Sequence, residues 1–174
     1  VEGQSGTDTL RFNGSAGAEI MAASSNGGRL LFTRNVGNIV MDVDDVEALV
    51  VGVLGGVDTV TLNDLRATDV RDATVDLGVG GAGDAAADAV TINGATDVQV
   101  AAISGSAGTV TYQAQGITAT LLRAEPANDN LTVNLSSGDD VLSASALAAT
   151  SVSLTVNGGS GNDVIVGSAG DDTL

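Results

Sequence analysis

Residues 158–174 read Gly-Gly-Ser-Gly-Asn-Asp-Val-Ile-Val-Gly-Ser-Ala-Gly-Asp-Asp-Thr-Leu. They hold two copies of one nine-residue phrase, the second cut one residue short. The phrase has the form G-G-x-G-x-D-x-U-x, with U a large aliphatic. Its glycines tolerate positive φ and let backbone carbonyls converge where a Cβ would clash. Its Asp adds a hard anionic oxygen, and the aliphatic two residues later anchors the following strand inward.

The same register runs back through the chain. Gly6-Thr-Asp8-Thr-Leu10, Gly56-Val-Asp58-Thr-Val60 and Gly138-Asp-Asp140-Val-Leu142 repeat it. Asp88-Ala-Val90 keeps it with Ala86 for the glycine, and Gly17-Ala-Glu19-Ile-Met21 keeps it with Glu for Asp. A longer period lies on top. Asp8 to Gly14 aligns with Asp88 to Gly94 at a shift of 80, and Gly28-Arg-Leu30 with Gly108-Thr-Val110 at the same shift. Gly80-Gly81-Ala82-Gly83 aligns with Gly158-Gly159-Ser160-Gly161, and Gly14-Ser-Ala-Gly17 returns verbatim as Gly167-Ser-Ala-Gly170. Such self-similarity marks a repeat architecture. It divides the chain into a first unit over 1–80, a second over 81–157 and the opening of a third over 158–174. Together they form one continuous segment. The chain opens on Val1 and stops inside a repeat, so both ends read as cuts in a longer protein.

Alternation sets the secondary structure. Thr59–Leu62, Ala89–Ile92, Thr109–Tyr112, Leu131–Leu135 and Ser151–Val156 have period two and are rich in β-branched residues, which predicts half-buried strands. Val60 and Leu62 are expected to face in, Thr59 and Thr61 out. Further strands are expected near Leu10–Phe12, Arg29–Thr33, Asn38–Asp42, Ala48–Val53, Val75–Leu77, Val98–Ile103 and Thr118–Leu122, with no helical stripe anywhere. The fold class is all-β. Repetition of one residue type in one phase predicts a parallel β-solenoid, β-helix-like or β-roll-like, because each layer must offer the same residue to the next. Four Asn-Gly pairs, at Asn13, Asn26, Asn93 and Asn157, favour tight hairpins and keep an antiparallel β-sandwich as the alternative.

Composition narrows the function. Aromatic residues make up only 2%, so the core must be built from Val, Leu, Ile and Ala, which suits a narrow, layered interior. Net charge is −16, from 22 acids against six Arg and no Lys. Nucleic-acid binding is excluded on that balance, since neutralising phosphates takes clustered cations. Divalent cations would relieve the self-repulsion; solubility is the blander account of the same acids. There is no Cys or His, hence no disulfide and no thiol or imidazole metal site. No apolar run reaches the ~18 residues of a membrane span, and no signal peptide is visible.

Calcium takes six to eight oxygen ligands. One Gly/Asp turn supplies too few, so an ion must sit between stacked turns, and repetition becomes the requirement. Residues 158–174, and more loosely 3–10 and 14–21, resemble the haemolysin-type calcium-binding repeats of RTX proteins. The intervening units resemble the degenerate repeats that precede such nonapeptides in very large bacterial surface or secreted proteins. The resemblance implies a calcium-loaded parallel β-roll, folding outside the cell and type I secretion. On it the candidate metal ligands are Gly158, Ser160, Asp163, Gly167, Ala169 and Asp172, with Asp8 and Asp140 added from the recurring register. Asp58, Asp88 and Asp140 sit in weaker glycine patterns, where ordinary turn formation is the leading expectation. Two terminal nonapeptides alone would leave half-built sites, to be completed by residues beyond Leu174. The longer spacing elsewhere fits a larger β-helix cross-section than the narrow roll.

The expected function is that of a non-enzymatic, calcium-binding structural segment of an extracellular or cell-surface protein: adhesin, surface layer or filament. Its partners would be calcium, neighbouring repeat units and, through self-assembly or display, other copies or cell-surface ligands. The alternative is a β-helical polysaccharide lyase or hydrolase using Asp42, Asp44, Asp45 and Glu47, the first two on one strand face. Leu121, Arg123 and Glu125 replace that pattern in the second unit, and a solvated acidic turn is the plainer reading. A calcium-bridged sugar-binding module is disfavoured by the shortage of aromatic rings. The sequons at Asn13, Asn130 and Asn134 are chance matches if the protein is bacterial. The glycine-rich segments lack the Gly-Lys-Ser/Thr of a phosphate loop.

Overall fold

Thr59-Val60-Thr61-Leu62 shows how the alternation becomes structure. In the computed structural model, which describes residues 1–174, this segment is a strand with Val60 and Leu62 buried and Thr59 and Thr61 half-exposed. The chain repeats the arrangement on two sheets in turn. β1 (Thr9–Ser15) lies in the first sheet. β2 (Ile20–Asn26), β3 (Arg29–Arg34) and β4 (Ile39–Val43) form an antiparallel meander in the second. β5 (Ala48–Leu54) returns to the first sheet, β6 (Thr59–Leu62) to the second and β7 (Asp72–Asp76) to the first. A separate hairpin follows, β8 (Gly78–Val79) and β9 (Ala82–Gly83).

β10 (Ala89–Asn93) then joins the second sheet, and β11 (Val100–Ser106), β12 (Thr109–Ala114) and β13 (Ile117–Leu122) form a meander in the first. β14 (Asn130–Asn134), β16 (Ser153–Asn157) and β18 (Asp172–Thr173) continue the second sheet, while β15 (Val141–Leu147) and β17 (Val164–Val166) continue the first. The strand orders are β1-β5-β7-β13-β12-β11-β15-β17 and β18-β16-β14-β10-β6-β2-β3-β4. Within these two sheets every pairing outside the meanders is parallel. The protein is therefore all-β, with two mixed sheets and no closed barrel. No helix is long and apolar enough to cross a membrane.

The two meanders, β2–β4 and β11–β13, lie 80 residues apart, yet on opposite sheets. The reason is arithmetic. From β1 the chain makes five sheet passages (β1, β2–β4, β5, β6, β7) before β10, the strand aligned with β1. An odd number of passages turns equivalent residues to the other side. Asp8 thus starts a first-sheet strand and Asp88 a second-sheet one.

One cluster of 34 buried hydrophobic residues fills the space between the sheets. Across the second sheet Met21, Val60, Val90, Leu131 and Leu154 are in register as one inward column. The protein's two phenylalanines, Phe12 and Phe32, come together at the N-terminal end with ring centroids 4.8 Å apart. Elsewhere the layers are aliphatic, apart from the buried Tyr112.

Three of the four Asn-Gly pairs are not hairpin turns, which corrects that expectation. Only Asn26-Gly27 sits at a hairpin, between β2 and β3. Asn13 is inside β1. Asn93 and Asn157 belong to a side-chain ladder at the strand ends of the second sheet: Asn157 Nδ2 donates to Asn134 Oδ1 (2.7 Å), Asn134 to Asn93 (2.7 Å) and Asn93 to Asn63 (2.9 Å). Each rung uses the amide's ability to donate to one neighbour and accept from the other. Asn134→Ala removes two of these bonds and is expected to cost about 2 kcal/mol in thermal or denaturant unfolding. Asn134→Asp is expected to cost more, because it sets an anionic oxygen against the Asn93 carbonyl oxygen with no proton between them. Equal, negligible losses for both would show the ladder to be incidental.

Candidate functional site: two columns of carboxylates

The recurring Asp stands where each strand begins, and the structure gives it a local task. Its carboxylate accepts the backbone N–H of the equivalent residue in the preceding layer. On the second sheet Asp58 Oδ1 accepts from Glu19 N (2.8 Å), Asp88 Oδ1 from Asp58 N (2.8 Å) and Asp129 Oδ1 from Asp88 N (3.0 Å). On the first sheet Glu47 Oε2 accepts from Asp8 N (2.7 Å), Asp140 Oδ1 from Gln99 N (2.7 Å) and Asp163 Oδ1 from Asp140 N (3.0 Å). Just beyond each rung the backbone ladder resumes, as in Thr59 N to Glu19 O (2.9 Å) and Val164 N to Asp140 O (2.8 Å). The carboxylate supplies the acceptor that the turning backbone has swung away, which a buried N–H requires.

Only one oxygen of each accepting acid is needed for that, and Asp8 and Glu19, first in their columns, take no such N–H. Asp8 Oδ2, Glu19 Oε2, Asp58 Oδ2, Asp88 Oδ2 and Asp140 Oδ2 are buried with no hydrogen-bond partner. Asp58 and Asp88 are 1% and 2% exposed, and Asp140 is fully buried. Burial, with neighbouring acids reinforcing it, pushes Asp58 up to about 6 and Asp88 up to about 7, and raises Asp129. Backbone donors oppose this and lose. Glu19, at the end of the column, goes the other way. Burial opposes its ionisation, but hydrogen bonds from Arg34 and Ser15 outweigh it and hold the carboxyl below its ordinary range.

The candidate ligands read from the sequence do not converge on one point. Asp140 and Asp163 are brought together as successive rungs, with the turn around Ser160 laid against the turn around Ser137. Gly138 N donates to Ser160 O (3.0 Å) and Ser160 N to Ser136 O (3.1 Å). The glycines make this contact possible. Gly159 and Gly161 have φ of 94° and 137°, and a Cβ on either would strike the Ser136 or Gly138 carbonyl. Gly158 leaves room for the Asp163 carboxylate. Asp8 lies at the far end of the same sheet, beside Glu47. Gly167, Ala169 and Asp172 form a separate turn on the other side. There Asp172 accepts from Ser168 N (2.6 Å) and Ser168 Oγ (2.7 Å), and Ala169 N donates to Leu147 O (3.2 Å). Asp172 pairs with Leu154, two residues beyond the column position held in the previous layer by Val152. It therefore stands outside the second-sheet column.

Glu47, Gln99 and Asp129 occupy column positions that the sequence reading passed over. Asp129 carried a signal, an aliphatic Leu131 two residues on, but Ala127 stands where the glycine was sought. The acidic group near residue 44 is organised differently. Arg29 bonds Asp42 (2.5 Å), Asp44 (2.6 Å) and Glu2 (2.8 Å) at once. Glu2, Asp44 and Asp45 can bring three carboxylate oxygens within 4.8 Å of one another, but two of the three already share that guanidinium. A cavity of about 40 Å³ beside Tyr112 is lined by one acid, Asp64, which is ion-paired with Arg66. No protein-family model, curated protein or solved structure matches the chain.

Proposed function

We propose that the chain is a parallel β-solenoid segment whose stacked Gly/Asp turns bind calcium. On this reading it is a non-catalytic, structural part of a large secreted or cell-surface bacterial protein, an adhesin, surface-layer or filament component. The observation that carries it is the pair Asp140–Asp163. Two Gly/Asp turns lie one on the other, one carboxylate oxygen of each is spent on the backbone, and Asp140 Oδ2 is buried with nothing to neutralise it. A divalent cation between such turns offsets a charge that burial otherwise makes costly. It also couples folding to an environment where calcium is plentiful, as expected for a protein that folds after type I secretion. Alternation of strands between two sheets in parallel register supports the solenoid. The rival polysaccharide lyase or hydrolase would need free paired carboxylates, and Asp42 and Asp44 are tied to Arg29.

The test is thermal unfolding followed by circular dichroism, in EDTA and then in millimolar calcium. Calcium at about a hundredfold excess over its Kd is expected to raise Tm by roughly 5–10 °C. The double variant Asp140→Asn, Asp163→Asn should lose part of that rise. An unchanged melting curve would remove calcium from the account while leaving the solenoid.

A further inference from the structure

The outward residues of the second sheet form rows as regular as its buried ones. Ala22, Thr61, Thr91, Thr132, Thr155 and Thr173 stand opposite one another, one on each of β2, β6, β10, β14, β16 and β18. Two residues along the strands lies the asparagine ladder, from Asn63 to Asn157. Two residues the other way lie Ile20, Thr59, Ala89, Asn130 and Ser153. β6, β10, β14 and β16 hold no charged residue, although the chain carries a net charge of −16. The outer face of the first sheet differs, with Arg11, Asp72 and Asp76 set among its strands.

Neighbouring strands lie about 4.8 Å apart, so the threonines repeat at that interval. Two oxygens hydrogen-bonded to one water at ~2.75 Å and the tetrahedral angle lie about 4.5 Å apart. Stretching that span to about 4.8 Å lengthens each bond to only about 2.9 Å, still within hydrogen-bond range. The row can therefore hold a file of bridging waters close to the spacing of every second oxygen in tetrahedral ice. Threonine is stiff at χ1, so like residues in like backbone sites repeat one placement. Of the row's hydroxyls only that of Thr132 bonds within the chain, to Asn130 Oδ1 (2.8 Å), and it can still accept. A side-chain ladder holds a sheet flat against its natural twist, and the asparagines supply one.

The face is too small to hold a second copy: six strands by three rows cover at most roughly 600 Å², short of the ~800 Å² a side of a stable interface. A sugar chain finds no aromatic ring to stack on, and a charged partner finds no countercharge. Ordered water needs neither, and a row of like groups at one interval suits a periodic partner. Charge would bar the contact, since an ion gives up its hydration at high cost.

We propose that the outer face of the second sheet binds ice, with the row Thr61, Thr91, Thr132, Thr155 and Thr173 as its contact. The hydroxyls join the lattice through bridging waters, and the methyl groups between them shed water readily. Calcium takes no part in the contact.

The test grows ice slowly in a solution of residues 1–174 in millimolar calcium and compares protein in the ice with protein in the liquid. Thermal hysteresis is read on the same samples. The wild type is expected to enter the ice and to show hysteresis. Thr132→Lys sets a bulky charge in the middle of the row and should remove both, with circular dichroism and Tm unchanged. Thr91→Lys should do the same, which covers a failure of the first variant to fold. Thr120→Lys, on the outward face of β13 in the first sheet, should bind ice as the wild type does. A wild type excluded from ice, or ice binding retained in both Thr132→Lys and Thr91→Lys, would overturn the proposal. Equal loss in Thr120→Lys would do so too, as would retention on cellulose or chitin with no capture in ice.

Discussion

Leu131→Ala is expected to lower unfolding free energy by about 3–5 kcal/mol and Tm by roughly 10 °C, the upper range for a single truncation. Leu131 is fully buried in β14, in register with Val90 on one side and Leu154 on the other. The cost of a cavity depends on how far its walls can relax. Here the walls above and below are strands tied by parallel backbone ladders, spaced at about 4.8 Å. β10 is pinned to β14 again at one end by a carboxylate rung, and all three strands are joined at the other by the asparagine ladder. No aromatic ring adjoins the position along its column, which contains Met21, Val60, Val90 and Leu154, so nothing large can swing in. Thr132→Ala, on the outward face of the same strand, is the control and should cost under about 1 kcal/mol. A loss at Leu131 no greater than at Thr132 would mean that the layers are loosely packed and close over the gap.

The strands were legible because alternation is a local signal: β6, β10, β12, β14 and β16 fall on runs whose period is visible in the residues themselves. The column positions were legible too, since Gly-x-Asp-x-aliphatic marks the start of strands at Asp8, Asp58, Asp140 and Asp163. What the Asp does there was not. Glycine beside Asp is read as a cation cage, yet the carboxylates of Asp58, Asp140 and Asp163 first serve a backbone N–H from a residue 23 to 41 positions away, and no local pattern encodes that partner. For the same reason Gln99 went unnoticed and Glu47 was read as part of the acidic group near residue 44: a column position can be filled by any acceptor or donor that completes the rung. The Asn-Gly pairs misled through the opposite error. Asn-Gly is a strong hairpin signal in isolation, but at Asn93 and Asn157 the amide has a better use in the stack. Gly80-Gly81-Ala82-Gly83 matches residues 158–161 letter for letter at three positions, yet the first forms a hairpin and the second a stacked turn. The difference lies beyond the match, because the second is followed at once by its column Asp163 while the first runs on through Asp84 to Asp88.

In EDTA, stability is expected to rise as pH falls from 8 to about 5, by about 3 kcal/mol, the reverse of ordinary acid behaviour. The sign follows from the direction of the shifts. Asp58 and Asp88 are pushed up to about 6 and about 7 in the folded chain, above the ~3.9 of an unfolded Asp. The folded state therefore holds these protons more tightly than the unfolded one. That contribution is complete below ~3.9 and is lost as pH rises through 6 to 7. Because Asp58, Asp88 and Asp129 stand on successive rungs, with Glu19 and its partner Arg34 at the end, the titration belongs to the group, and the two shifts do not simply add. Acids with lowered values act in the opposite sense. Glu19 and Asp64, held down by Arg34 and Arg66, stabilise above the ordinary carboxylate range and lose that contribution as pH falls through their lowered values. The profile should thus peak between about pH 4 and 6. Asp88→Asn retains the acceptor for Asp58 N–H while removing the charge, so it should raise Tm at pH 8 and flatten the limb between pH 8 and 5. Asp69→Asn, at an exposed position, removes the same net charge and should leave that limb intact. A wild-type Tm that falls steadily from pH 8 to 5, or an Asp88→Asn profile no flatter than that of Asp69→Asn, would show that the buried oxygens of the column carry no cost.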